Sequence, residues 1–182
     1  PVDANNVLPV RDNNIDIGQR DMLDLSVKVD WLTDIGNFVS TTSWTDIEDW
    51  SDSDQFPYTN ARSDPAVFGF DGTQTGFFDL QAFSQEFRLS APDDSPLRWE
   101  VGAYYLDWDR FVSLSTGVDT GAGIIRLERE PTTDPSNPTT SFLADDNSNT
   151  SWAVFGSVDF SLTDTLDLSL AARYDREERT QD

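Results

Sequence analysis

Ser84-Gln85-Glu86-Phe87-Arg88-Leu89-Ser90 and Arg98-Trp99-Glu100-Val101-Gly102-Ala103-Tyr104-Tyr105 flank a polar stretch, Ala91-Pro92-Asp93-Asp94-Ser95-Pro96-Leu97. Phe83, Phe87 and Leu89 share one parity in the first run, and Trp99, Val101 and Tyr105 share one in the second. The other parity carries Ser84, Glu86 and Arg88, then Glu100, Gly102 and Tyr104. Successive side chains of a strand point to opposite faces, so these runs predict a hairpin with one apolar face and one polar or small face. Such a hairpin meets a different solvent on each side.

The same period extends along the chain. Leu23, Leu25, Val27, Val29 and Trp31 alternate with Asp24, Ser26, Lys28 and Asp30, which no helix places on one side. Trp152, Val154, Gly156, Val158 and Phe160 alternate with Ala153, Phe155, Ser157 and Asp159; Leu166, Leu168, Leu170, Ala172 and Tyr174 follow in the same way. Strands are predicted at about 22–32, 38–47, 79–90, 98–108, 151–161 and 166–175, with short turns at 33–37, 91–97 and 162–165. In the strand from Phe38, the parity of Phe38, Ser40, Thr42 and Trp44 is taken as outward. Loops are expected at about 1–20, 48–78 and 109–149, with Ile124–Glu130 forming a short strand inside the last and the charged tail from Asp175 opening another.

Connections therefore alternate between long and short. Outer-membrane barrels have that sorting, with short periplasmic turns and long extracellular loops. Trp31, Phe38, Trp99 and Phe160 fall near the short turns, and Trp44, Phe83, Tyr105, Trp152 and Tyr174 near the long loops, as two aromatic girdles would require. From Trp152 to Phe160, ~3.3 Å per residue at a tilt of about 40° gives on the order of 20 Å along the membrane normal, close to the apolar band of such barrels.

Composition excludes several classes. Thirty-four acidic residues against 12 basic ones give a formal charge of −22, which disfavours nucleic acid and anionic lipid faces. The chain has no Cys and no His, so thiol chemistry, Cys-based zinc sites and histidine general bases are absent. No apolar run reaches the roughly 18 residues of a spanning helix, and no signal peptide opens the chain at Pro1-Val2-Asp3. The length of 182 residues is expected to be a piece of a larger domain.

The wording of these strands resembles the TonB-dependent receptors, the plugged outer-membrane transporters of Gram-negative bacteria. In that family a strand like "SQEFRLS", a short turn and a strand like "RWEVGAYY" recur in mid-barrel. Trp152–Phe160, Leu162-Thr163-Asp164, Leu166-Asp167-Leu168 and Ala172-Arg173-Tyr174-Asp175 are similar to the family's "yAvFgqvdy–LTd–LtLtaGlRY", with Ala171 where Gly is usual. The resemblance covers about 21–47, 79–108 and 150–176. It leaves out the N-terminal plug and the TonB box, and roughly six strands stand where large transporters have 22. It implies energy-coupled import of a scarce solute of the siderophore, vitamin or oligosaccharide class. The partners it implies are outer-membrane lipid, the rest of the barrel and plug, and TonB acting through the plug; it implies no enzyme activity and no cofactor.

Candidate residues follow from position. Leu25, Val27, Val101, Val154, Val158, Leu168 and Leu170 would face lipid; Ser26, Glu86, Arg88, Glu100, Ser157 and Arg173 would face the lumen. Glu86, Arg88, Glu100 and Arg173 read either as a charged lumen wall touching plug or solute or, the reading we favour, as a cross-strand ladder of opposite charges. Gly102, on that face, leaves room close to the wall. Among the loop aromatics, Trp50, Phe56, Tyr58 and Phe70 with Arg62 are candidates to hold a solute, since flat rings beside a fixed cation suit ring-bearing or anionic molecules; packing of loop on loop is the alternative. Asp93-Asp94 and Asp145-Asp146 lack the spacing of a calcium loop and are read as solvated turns, so no metal site is assigned.

The expected fold is all-β, an antiparallel meander of about six strands belonging to a large transmembrane barrel. The rival is a secreted acidic β-sandwich that binds carbohydrate through aromatic loops, which would require a second sheet packed on the apolar face.

Overall fold

The computed structural model describes residues 13–55, 71–92, 95–163 and 165–181. Six strands fill most of that length: β1 (Ile17–Thr33), β2 (Gly36–Asp54), β3 (Asp71–Ser90), β4 (Arg98–Asp119), β5 (Thr139–Thr163) and β6 (Leu166–Gln181). They form one antiparallel sheet in the order β1-β2-β3-β4-β5-β6, a meander in which each strand neighbours the next in sequence. The described residues contain no helix, and the sheet does not close on itself. The described residues form a single sheet with no second layer, which favours the meander over the sandwich.

The chain groups into two units, one of residues 1–21, 47–79 and 111–146 and one of 22–46, 80–110 and 147–182. The second contains the alternating runs. There β5 and β6 pair in register from Phe160↔Leu168 through Val158↔Leu170 and Val154↔Tyr174, with Phe155↔Arg173 and Ser157↔Ala171 on the opposite face. Apolar side chains on the first of these faces stand open: Leu25, Val27, Val101, Val154, Leu168 and Leu170 are all exposed. Ring pairs brace it, Phe38 with Phe87 at 6.0 Å, Phe83 with Tyr105 at 6.4 Å and Trp152 with Tyr174 at 5.7 Å. The Phe38–Phe87 stack fixes the parity of β2 as expected. Gln85, on β3, is matched to β2: its amide donates to Ser40 Oγ (3.0 Å) and the Thr41 carbonyl (3.1 Å) and accepts from Thr42 Oγ1 (2.6 Å). A side-chain amide beside apolar neighbours needs this saturation, because an unpaired polar group away from water costs free energy.

The strands run further than the alternation predicts. Residues 17–20, 48–54, 71–78, 109–119 and 139–149, read as loop, are strand, as is the tail beyond Asp175 up to Gln181. Ile124–Glu130, read as a short strand, carries none. The physical reason is visible at Thr73, Thr75, Ser113 and Ser115, all buried within the first unit. Thr75 and Ser115 share a 2.6 Å hydroxyl hydrogen bond, and Thr73 donates to Asn137 Oδ1 at 3.3 Å. Strands paired through hydroxyls need no apolar alternation, so hydropathy reports only the part with one apolar face. Trp44, Tyr105, Trp152 and Tyr174 consequently lie within strands and not at their ends.

Gly36 opens β2 after the two-residue turn at Asp34-Ile35. Its φ is +150°, and a Cβ there would stand 2.0 Å from the Ser90 carbonyl oxygen. Gly36→Ala is expected to push β2 from β3 and to destabilise the intact barrel by about 1–3 kcal/mol, the range of overpacking; urea unfolding of the receptor in lipid measures it, and an unchanged midpoint would contradict the close approach.

Candidate functional site

Two groups of polar residues stand out, one in each unit. In the second unit, Glu86 and Arg88 of β3, Glu100 of β4 and Arg173 of β6 converge on Phe155 of β5. The guanidiniums of Arg88 and Arg173 each lie over the Phe155 ring at 5.6 Å from its centroid. Arg88 binds Glu86 through Nε at 2.7 Å and approaches Glu100 at 3.8 Å; Arg173 binds Asp175 at 2.7 Å. All four sequence-derived positions therefore share one face, joined by a ring. Arg88, Glu100 and Arg173 line a shallow depression of about 430 Å³ with Phe155, Ser157 and Ala171. Gly102 creates the space the ring fills, since a Cβ there would meet Phe155 at 2.3 Å and the Phe87 carbonyl oxygen at 2.8 Å. The room expected beside Gly102 is thus occupied by the protein itself. Sequence reasoning missed Phe155, although an aromatic on the polar parity was a usable signal; cation–π packing between neighbouring strands explains it.

In the first unit, Trp50, Phe77 and Phe111 make a buried cluster, with ring centroids 4.4 Å apart for Trp50–Phe77 and 6.2 Å for Phe77–Phe111. Residues 120–138 join β4 to β5 across this cluster. Arg126 lies over Trp50 at 5.4 Å and binds Asp52 at 2.6 Å; Arg129 lies over Phe111 at 4.1 Å and binds Asp79 at 3.0 Å. Trp50, a candidate solute contact, is thus only 6% exposed and has Arg126 over its ring. Phe56, Tyr58, Arg62 and Phe70 lie outside the described residues. Of the two acidic pairs, Asp146 approaches Arg129 at 3.9 Å, and Asp93-Asp94 lies outside the described residues. Sequence reasoning missed Arg126 and Arg129, although cations three residues apart in an acidic loop were a usable signal.

Asp119, at the end of β4, fastens the start of this connection. Its carboxylate accepts from the Gly121 amide (2.7 Å), the Gly123 amide (3.1 Å) and the side chain of Asn14 (3.0 Å). Burial alone would raise its pKa, but these hydrogen bonds, with a further one from Asn13, outweigh it and hold the carboxyl below the ordinary value of 3.8. Among the described residues no group of three or more His, Cys, Asp or Glu side chains has the arrangement of a metal site.

A one-sheet meander with an open apolar face, ring pairs on that face and charges opposite it defines a barrel-wall class of protein. The chain matches the family model described as "TonB dependent receptor-like, beta-barrel" over residues 2–182, and it belongs to that family. No curated protein matches it. The family is one of outer-membrane receptors for TonB-dependent transport and not of enzymes.

Because the folded pKa of Asp119 is depressed, its contribution is present above the unfolded value and is lost as pH falls through the folded one. Amide exchange at Gly121 and Gly123, corrected for intrinsic pH dependence, is expected to accelerate only below about pH 3.8. Asp119→Ala should show the fast rate at neutral pH. Equal protection in both proteins at pH 7 would remove Asp119 from this role.

Proposed function

We propose that this chain forms wall and mouth of an outer-membrane importer of a scarce solute of the siderophore, vitamin or oligosaccharide class, driven by TonB through the plug. The observation that carries the reading is the segregation of faces in β5 and β6, where Val154 and Val158 oppose Tyr174 and Leu170 while Phe155 and Ser157 oppose Arg173 and Ala171. An apolar parity against lipid and a charged parity against a polar lumen is the arrangement a barrel requires. Glu86, Arg88, Glu100 and Arg173 then face the lumen, and Leu25, Val27, Val101, Val154, Val158, Leu168 and Leu170 face lipid. The remaining barrel strands and the plug are its protein partners; nucleic acid is not one.

Sidedness has a direct test in the intact receptor. Val154→Arg is expected to cost roughly 2–4 kcal/mol of folding stability at mid-membrane and Ser157→Arg much less. Urea unfolding in vesicles compares them, and equal costs would reject the assignment of faces.

Solute contacts are assigned to the long connections, because residues on loops held by a rigid scaffold commonly bind, and the long connections lie on the extracellular side of such barrels. Phe56, Tyr58, Arg62 and Phe70 are the proposed contacts, together with Trp50 near the end of β2, which a solute would reach by displacing Arg126 from its ring. Cells producing the intact receptor would be offered a labelled ferric siderophore, cobalamin and a maltooligosaccharide. Deleting 56–70 should lower uptake of the transported class about tenfold or more, whereas substitutions at 91–97 should leave its binding intact. The opposite result would overturn both the loop assignment and the orientation.

A further inference from the structure

The connection between β4 and β5 is held in two different ways along its length. Its returning limb is tied by backbone: the Val118 amide donates to the Pro138 carbonyl (3.1 Å), the Thr120 amide to Ser136 (3.2 Å) and the Thr139 amide to Thr132 (3.0 Å). The outgoing limb, 121–130, carries no strand and crosses the Trp50–Phe77–Phe111 cluster. It is fastened chiefly by side chains. Arg126 has Trp50 beneath its guanidinium, Asp52 at 2.6 Å and Gln19 at 3.2 Å. Arg129 has Phe111 beneath it, Asp79 at 3.0 Å and Asp146 at 3.9 Å. Between them Ser113 donates to the Glu128 carbonyl at 2.6 Å.

We infer that residues 124–130 are a releasable strap, anchored at 121–123 by Asp119 and Asn137 and latched by Arg126 and Arg129, whose opening uncovers the Trp50–Phe77–Phe111 cluster and is controlled by ionic strength. Three features carry this. Each latch pairs a ring with a carboxylate, so a cation is the element that closes both. The acids of the unit greatly outnumber the cations among its described residues, which are Arg20, Arg126 and Arg129. Losing one latch therefore has little to replace it. Lastly, Asp52 is 5% exposed and its Oδ1 makes no hydrogen bond among the described residues. Closing the strap buries that oxygen without a partner, whereas opening returns it to water. The desolvation cost offsets part of the ionic gain, and a contact balanced in this way opens more readily than one held by a backbone ladder.

Salt acts on the closed state because the guanidiniums are partly exposed, at 36% for Arg126 and 50% for Arg129. Raising ionic strength from 0.1 to 1 M shortens the screening length from about 10 to about 3 Å, comparable to the distances across these latches. The ring contacts persist but do not hold the strap alone, since a partly exposed cation–π contact is weak.

Trypsin reads the opening directly, because the scissile bonds follow Arg126 and Arg129 and cleavage needs a locally opened chain. The experiment uses the intact receptor in outer-membrane vesicles, with cleavage after these two arginines quantified by mass spectrometry. Rates are normalised to a small peptide substrate, to remove the effect of salt on the protease. In the unmodified receptor the normalised rate should rise about fivefold between 0.1 and 1 M sodium chloride. Asp52→Asn with Asp79→Asn should be cut about tenfold faster at 0.1 M and show little further rise with salt. Arg126→Lys, which keeps both cation and cleavage site, should retain the salt response. A flat salt profile in the unmodified receptor overturns the strap on its own, without any variant having to assemble. So does a paired variant that assembles and is cut at the unmodified rate.

Discussion

Backbone hydrogen bonding between neighbouring strands carries this structure, and nearly everything else follows from that dependence. Among the described residues the buried hydrophobic side chains are only Trp50, Phe77, Phe111 and Ala153. A soluble domain of this length would bury a far larger core. Here Leu25, Val101, Val154 and Leu170 stand exposed, and in the barrel wall proposed above the hydrophobic term would come from the lipid such side chains meet. In hydrocarbon each backbone amide and carbonyl must find a partner, which a sheet provides strand by strand and completes only by closing. β1 and β6, at the ends of the sheet order, are its two edges.

That dependence explains which parts were legible in the sequence. Where one face of a strand is apolar and the other polar, its residues alternate, and Leu23–Trp31, Phe83–Leu89 and Trp152–Phe160 announce themselves. Where a strand has a polar solvent or polar partners on both faces, alternation vanishes while pairing continues. Thr73, Thr75, Ser113 and Ser115 read as loop residues by composition, yet Thr75 and Ser115 bond to each other across β3 and β4, while Thr73 donates to Asn137 and Ser113 to the Glu128 carbonyl of the connection that follows β4. The alternation therefore stops near Trp44, Tyr105, Trp152 and Tyr174, while the strands run on past them.

The sites divide along the same line. Glu86, Arg88, Glu100 and Arg173 came together because parity alone determines the face of a strand residue. Their common centre, Phe155, was missed because its meaning required the neighbouring strands: a ring on the charged face fits only where Gly102 opens space on β4 and arginines approach from β3 and β6. Trp50 was singled out as a flat surface for a solute. Its burial under Arg126 was not legible, because it depends on a contact between residues 76 positions apart, across a connection without periodicity.

The acidity of the chain takes on a structural sense in this setting. Carboxylates at Asp52, Asp79 and Asp119 are each placed against a specific donor, whether a guanidinium or backbone amides, and do not merely hydrate a surface. A net charge of −22 leaves few cations to distribute, so those present in an irregular connection carry unusual weight. Arg126 and Arg129 are placed where a ring and a carboxylate act on the same guanidinium. Packing fixes where those rings lie, and charge decides whether the segment above them stays down. A connection built in this way takes its position from the sheet beneath it and its strength from the solution above it.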